Sequence, residues 1–175
     1  MFFVMKALAA FQLPLSGLGS GMHEYHFEIK DEFFSNFEAS PITKADVDLR
    51  VYLDKRSTFI EITFDFEGKV ETGCDRCLKK FMLPIKNSNL LLLKYSAEEV
   101  KENDDVDILF ISKNENEFNL AKFIYEFILL SIPMSKVHEM AEEQCDEDFT
   151  RFLHRDEETE KPSNSVWDAL KNFKN

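Results

Sequence analysis

Two cysteines separated by two residues offer the clearest chemistry in this chain. Cys74 and Cys77 lie in the segment Gly73-Cys74-Asp75-Arg76-Cys77-Leu78, and two thiolates at this spacing can bind one metal ion from a tight turn. A tetrahedral ion needs two further ligands, and the only other cysteine, Cys145, follows His138 by seven residues. The sequence therefore predicts a structural Cys3His zinc site formed by Cys74, Cys77, His138 and Cys145.

Two other interpretations of the cysteine pair remain open. A Cys-x-x-Cys pair can be a redox motif, which normally opens a helix whose N-terminus lowers a thiol pKa. Here the strand-like segments 69–72 and 81–85 flank the pair and place it at the tip of a hairpin instead. Alternatively, Cys74 and Cys77 are small buried hydrophobic residues, and His138 is an ordinary surface residue.

No catalytic motif accompanies the cysteines. The chain contains no glycine-rich phosphate loop, no Gly-x-Ser-x-Gly elbow and no His-Glu-x-x-His helix. A Cys3His set would also be closed, whereas catalytic zinc keeps one position open for water. We therefore predict a protein that is not an enzyme and has no small-molecule substrate. A thiol or metal-dependent enzyme is the less favoured alternative.

Charge and composition limit the kinds of partner that the protein is expected to bind. The 175 residues carry a net charge of -12, and 44% of them are hydrophobic, including 18 phenylalanines, which is enough to fill one core. An acidic surface repels phosphate and suits a basic protein partner better than bare nucleic acid. No apolar run is long enough to cross a bilayer, so we expect no membrane partner, and three cysteines with a close pair fit a reducing cytoplasm.

The N-terminal residues resemble a signal peptide only superficially. A lysine lies inside the apolar run 2–11, and Gln12 and Pro14 end that run early. We therefore predict that this run is the first strand. Met1 and Met5 both remain candidates for the true start of the protein.

Alternating hydrophobic residues predict a mostly β organisation for the first two thirds of the chain. The segments 47–53 and 60–67 each place apolar side chains at every second position, and similar runs follow at 81–85, 90–95 and 108–111. Three glycines within the segment 16–21 allow a turn, and residues 31–37 are expected to form one helical turn. Consecutive strands at this spacing predict an antiparallel meander or partly open barrel.

The pattern becomes helical after Asn119. Apolar residues recur at helical spacing between Leu120 and Ile132, with Asn119 as a candidate N-cap and Pro133 as the stop. We therefore predict an α+β fold in which one long apolar helix, near 119–132, packs on the β meander or barrel within a core domain of residues 1–138. Residues 139–175 are expected to form an acidic, partly disordered tail that ends in a short helix near 165–173.

The order of these features resembles the YceD family, the large ribosomal RNA subunit accumulation proteins of bacteria and plastids. The resemblance rests on Cys74-Asp75-Arg76-Cys77-Leu78 with the following Lys79-Lys80-Phe81, on the segment from Ile132-Pro133 to His138, on Cys145, and on Lys161-Pro162 before the terminal helix. It implies a cytoplasmic, non-enzymatic factor that supports 23S ribosomal RNA processing or accumulation, through contact with a pre-50S particle, a ribosomal protein, 23S rRNA or both.

The route of action stays open at this point. A basic group around the cysteine turn, formed by Arg76, Lys79, Lys80 and Lys86, is a candidate contact for RNA or a partner, and Trp167 is a second candidate contact. Arg76 is about as well explained as a surface partner of Asp75 or Glu71. Because the remaining surface is acidic, we favour a protein-mediated contact. The alternative from another class is a zinc-stabilised interaction module unrelated to ribosomes.

Overall fold

A five-stranded sheet dominates the part of the chain that the computed structural model describes, namely residues 8–96, 108–112, 114–146 and 149. Its strands are, in spatial order, β2 (Gly21–Lys30), β3 (Ala45–Lys55), β4 (Phe59–Gly73), β5 (Lys80–Ser96) and β6 (Ile108–Ser112). Strands β2 to β5 pair antiparallel in chain order, whereas β6 runs parallel to β5. Two short strands, β1 (Gln12–Pro14) and β7 (Glu117–Asn119), form a separate antiparallel pair.

The alternation of hydrophobic residues gives this sheet one dry face. Along β3, the side chains of Val47, Leu49, Val51 and Leu53 are almost fully buried, and the residues between them face outward. Strand β4 repeats the pattern with Ile60, Ile62 and Phe64. The predicted strands at 47–53 and 60–67 are confirmed, because burying the apolar face leaves each segment only one usable register.

Two helices lie in the described residues, α1 (Asp31–Phe34) and α2 (Ala121–Ser131), together with 3-10 turns at Leu8–Phe11 and His138–Ala141. Helix α2 buries Ala121, Ile124 and Ile128, and the Phe127 ring lies edge-on to Phe64 with 5.1 Å between ring centroids. Neither helix combines the length and the apolar character needed to span a bilayer.

The predicted α+β fold with one long apolar helix is wrong. The described residues are mostly β, and α2 has only eleven residues, a length of about 16 Å, against a seventeen-residue strand β5. The reason lies at both helix ends. Asn119 still belongs to β7, where it pairs with Gln12, and its side-chain Oδ1 accepts a hydrogen bond from the Ala121 N–H at 2.8 Å. Ser131 is the last helical residue because Pro133 follows it closely.

The partly open barrel and the uniformly antiparallel meander are also wrong. In the described residues the sheet is open, with β2 and β6 at its two edges, and β6 pairs parallel to β5 from Leu92 opposite Ile108 to Ser96 opposite Ser112. Alternation identifies strands without giving their direction. Of the predicted first strand at 2–11, the structure describes residues 8–11, and these form a 3-10 turn before the short β1.

Several predictions fall outside the described residues. The expected terminal helix near 165–173 and the candidate contact Trp167 both belong to this group. The division into a core domain at 1–138 and a tail at 139–175 stays a prediction.

The longest hairpin of the sheet, β4 and β5, positions the cysteine turn. Pairing between β3 and β4 ends at Ala45 opposite Val70, but β4 and β5 continue together to Gly73 opposite Lys80. The hairpin therefore projects beyond its neighbour, and residues 74–79 form its tip. At Gly68 the two strands β3 and β4 approach so closely that an added Cβ would lie 2.3 Å from the Asp46 carbonyl oxygen.

Candidate metal centre

The tip of the β4–β5 hairpin is a compact turn that aims both cysteines in one direction. The Cys74 N–H donates to the Lys79 carbonyl at 2.9 Å, and the Leu78 N–H donates to the Cys74 carbonyl at 2.9 Å. The Arg76 N–H points at Cys74 Sγ from 3.4 Å. Leu78 takes a left-handed backbone conformation, with φ of 61°, which reverses the chain into β5. We call residues 74–78 the knuckle.

The other half of the cluster comes from the segment after α2. Pro133 ends the helix region, and the chain reaches a 3-10 turn at His138–Ala141. Two hydrogen bonds fix this segment against the knuckle: the Asp75 N–H donates to the Lys136 carbonyl at 2.7 Å, and the Lys136 N–H donates to the side-chain Oδ2 of Asp75 at 2.6 Å. We call residues 136–146 the docking segment.

Charges of opposite sign reinforce this contact. Arg76 forms a two-pronged ion pair with Glu139, Lys79 pairs with Asp146, and the Lys136 ammonium lies 3.6 Å from Asp75 Oδ1. Because these groups are partly exposed, each pair adds little stability by itself. Together they set the register in which the docking segment meets the knuckle.

The four predicted ligands converge to one point. Cys74, Cys77, His138 and Cys145 each present a ligand atom, and all four atoms lie within 4.8 Å of one another. The Sγ atoms of Cys74 and Cys145 are 3.7 Å apart, and His138 Nδ1 lies 3.4 Å from Cys77 Sγ and 3.6 Å from Cys145 Sγ.

These separations fit a tetrahedral zinc ion. With Zn–S bonds of about 2.3 Å and a Zn–N bond of about 2.0 Å, tetrahedral angles place two sulfurs about 3.8 Å apart and a sulfur and a nitrogen about 3.5 Å apart. The observed S–S and S–N distances lie close to both values. Four protein ligands would fill the coordination shell, which is the pattern of structural zinc sites.

Burial and local hydrogen bonds prepare the thiols for a cation. Cys74, Cys77 and His138 are buried, and Cys145 is half-buried. Burial raises the pKa of the Cys74 thiol, but hydrogen bonds to its sulfur outweigh this effect and lower the pKa to about 6. These hydrogen bonds come from the backbone N–H groups of Cys77, Arg76 and His138 and from the His138 side chain. Burial, together with the neighbouring thiols of Cys74 and Cys77, raises the pKa of Cys145. Gathering thiolates this closely favours a bound cation, since metal ligands must be deprotonated.

Every cation of the predicted basic group lies beside a carboxylate. Besides the Arg76 and Lys79 pairs with Glu139 and Asp146, Lys80 lies 2.8 Å from Glu71, and Lys86 lies 2.6 Å from Glu67. Hydrogen bonds from Lys80 and Thr43 lower the pKa of Glu71 to about 2. Lys86 is also about 20 Å from Lys80 along β5, so the group does not form one compact patch. A contact of these four residues with RNA or a partner stays a prediction.

Sequence reasoning missed the residues that hold the site together. The Phe81 ring is buried against the imidazole of His138, with 4.6 Å between ring centroids, and Asp75 with Lys136 joins the two halves. One signal was present in the sequence. The residues around the two ligand pairs carry complementary charges, with Arg76 and Lys79 in one half and Glu139 and Asp146 in the other.

The fold and the site define a β-rich protein with a closed Cys3His cluster between a hairpin tip and the segment that follows its main helix. Residues 62–174, well over half of the chain, match the family described as "Large ribosomal RNA subunit accumulation protein YceD", and the chain belongs to this family. The matched region includes all four ligand residues. Comparisons with curated proteins and with solved structures found no match.

Proposed function

We propose that this chain is a non-enzymatic cytoplasmic factor in large ribosomal subunit biogenesis, which supports the accumulation of 23S rRNA through contact with a basic ribosomal protein on a pre-50S particle. The family match carries this proposal. The closed arrangement of the four ligands supports a scaffolding role, because four protein ligands leave no open position for a reacting water.

Charge favours a protein contact over a direct RNA contact. The chain has a net charge of -12, and carboxylates lie beside each of the four cations that were candidates for binding phosphate. A bare RNA contact would therefore lack most of the counterion release that drives such binding. A lysine-rich and arginine-rich protein surface would instead gain attraction from the same carboxylates.

Sedimentation tests the ribosomal role. The full-length protein should travel with pre-50S particles in a lysate, and cells that lack it should accumulate less 23S rRNA. A zinc-stabilised interaction module unrelated to ribosomes would stay at the top of the gradient. Such a profile would contradict the proposal.

Nuclease treatment separates the two routes of contact. Under the protein-mediated route, pull-downs should recover a ribosomal protein after nuclease digestion, and rising salt should weaken the complex because surface charges are screened. Loss of every ribosomal protein on digestion would support direct RNA binding instead. As a further test, the double variant Lys80→Ala/Lys86→Ala removes two candidate phosphate contacts and leaves the ion pairs of Arg76 and Lys79 in place. It should leave the pull-down nearly intact.

A further inference from the structure

The outward face of the sheet carries a concentration of negative charge. On two of the three interior strands, β3 and β4, the ten paired outward positions include two cations, Arg50 and Lys69, and the neighbouring strand β5 adds Lys80, Lys86 and Lys94. Six of the ten positions are carboxylates: Asp46, Asp48, Asp54, Glu61, Asp65 and Glu67. Helix α2 packs on the opposite face, where it buries Ile124 and Ile128, so this acidic face points to solvent.

Part of this face forms a groove across three strands. Its volume is about 690 Å³, within the range of binding clefts, and Asp48, Asp65 and Glu67 line it together with Arg50, Tyr52 and Lys86. Strand register places its carboxylates next to one another: Glu28 lies opposite Asp48, which lies opposite Glu67 on the next strand.

Like charges directly opposite each other on neighbouring strands destabilise a sheet. Cations offset this repulsion: Arg50 shares the outward face of β3 with Asp48, and a hydrogen bond from Lys30 lowers the pKa of the Glu28 carboxyl. Lys30 pairs with Glu28 at 2.9 Å and Lys86 pairs with Glu67 at 2.6 Å, but in both pairs more than half of each side chain is exposed. His26 lies 2.5 Å from Asp48 and is similarly exposed. Because these pairs are exposed, a cationic partner can replace them and gain attraction from the same carboxylates.

We propose that this sheet face is the docking surface for a lysine-rich and arginine-rich protein segment, which lies across the groove with its cations between Glu28, Asp48, Asp65 and Glu67. The inference rests on the proposed function for its choice of partner and goes beyond it by locating the contact. RNA is excluded as the occupant by charge, since its phosphates would meet a surface where carboxylates outnumber cations. The half-buried Tyr52 ring supplies a further surface on which a lysine or arginine can pack.

Binding of a defined probe by the full-length protein tests this surface. The probe is a fluorescein-labelled peptide of alternating lysine and threonine. An oligo-uridine RNA of matched length represents the alternative occupant, and its binding is measured for comparison. The face variant is Asp48→Asn/Asp65→Asn/Glu67→Gln. The control variant Glu38→Gln/Glu115→Gln/Glu117→Gln changes net charge equally at exposed positions away from this face.

The peptide should bind the unmodified protein, and the face variant should weaken that binding about tenfold, as expected for the loss of about three exposed ion pairs. The control variant should weaken it less than about twofold. Equal weakening by both variants, no binding of the peptide, or tighter binding of the RNA would overturn the proposal.

Sedimentation in cells distinguishes failure of this inference from failure of the proposed function. If the unmodified protein and the face variant both sediment with pre-50S particles, the docking surface is wrong and the ribosomal role stands. If the unmodified protein does not sediment there, the proposed function itself fails. Loss of sedimentation by the face variant alone supports the docking surface.

Discussion

Leu78 combines a residue type and a backbone conformation that do not suit each other. Its φ of 61° lies in the left-handed region, where the Cβ of an ordinary residue crowds the following carbonyl oxygen. Its side chain is 77% exposed and gains little from burial. The turn is retained because the Leu78 N–H bonds to the Cys74 carbonyl, which closes the knuckle.

Replacing Leu78 by glycine should therefore stabilise the protein. Glycine relieves a left-handed conformation that costs an ordinary residue about 1–2 kcal/mol, but it also makes the unfolded chain more flexible, which lowers stability by about 0.5–1 kcal/mol. The free energy of unfolding should therefore rise by about 0.5–1 kcal/mol. Denaturant unfolding measures the difference. Leu78→Ala is the control, because it removes the exposed side chain but keeps the Cβ. Equal stabilisation by alanine would show that the backbone conformation is not the cause.

Substitution of His138 tests whether the protein binds metal at the predicted site. The purified protein should hold about one equivalent of zinc, and His138→Ala should reduce zinc affinity about tenfold or more, because one of four ligands is lost. Metal analysis and the melting temperature measure the two effects together, since metal binding is coupled to folding. His23→Ala, on β2, changes the same residue type outside the cluster and should leave the zinc content unchanged. Protein that is purified without chelator and contains no metal would contradict the site.

At the scale of single elements, the close approach of β3 and β4 at Gly68 limits what that strand can carry. A Cβ at this position would lie 2.3 Å from the Asp46 carbonyl oxygen and 2.5 Å from the Val47 Cα, and both are backbone atoms that cannot move aside. Gly68→Ala should therefore destabilise the protein by about 1–3 kcal/mol.

Gly73→Ala provides the matched control, because it lies in the same strand with no atom within 4 Å of an added Cβ. Thermal unfolding of both variants measures the contrast. A Gly68→Ala protein as stable as the Gly73→Ala protein would mean that the strands can separate at little cost.

The sequence was informative where one local pattern decides the outcome. Alternation at 47–53 and 60–67 predicts real strands, because only one face of each can be buried. The direction of β6 and the shortness of α2 depend on pairing partners far along the chain, which periodicity does not report. The four ligand residues were found by type and spacing, whereas Phe81 was missed because a strand phenylalanine gives no sign that it will pack on a histidine.

At the scale of the whole molecule, the metal site would act as a cross-link. Cys74 and Cys145 are 71 residues apart in the chain, and β5, β6, β7 and α2 all lie between them. Closing a loop of this length in the unfolded chain is worth about 4 kcal/mol by analogy with a disulfide. The five-stranded sheet, in contrast, is held by its own buried face.

Chelation should therefore loosen one part of the structure before the rest. Amide hydrogen exchange should increase about tenfold or more in the docking segment, residues 136–146, and less than about twofold in β3 and β4. The double variant Cys74→Ser/Cys77→Ser should show fast exchange in that segment with or without chelator. Uniform loss of protection across the sheet would show instead that the whole fold depends on the metal.

The separation of the two ligand pairs also sets an order of events during synthesis. Cys77 precedes His138 by 61 residues, so at about 5–20 residues per second a ribosome needs about 3–12 s to add the third ligand after the knuckle. During that interval a nascent chain has only two thiolates for an ion and can hold it weakly. If the four residues bind zinc as proposed, zinc capture would become tight only once His138 and Cys145 have been added, and metal loading would be a late step in the maturation of each new molecule.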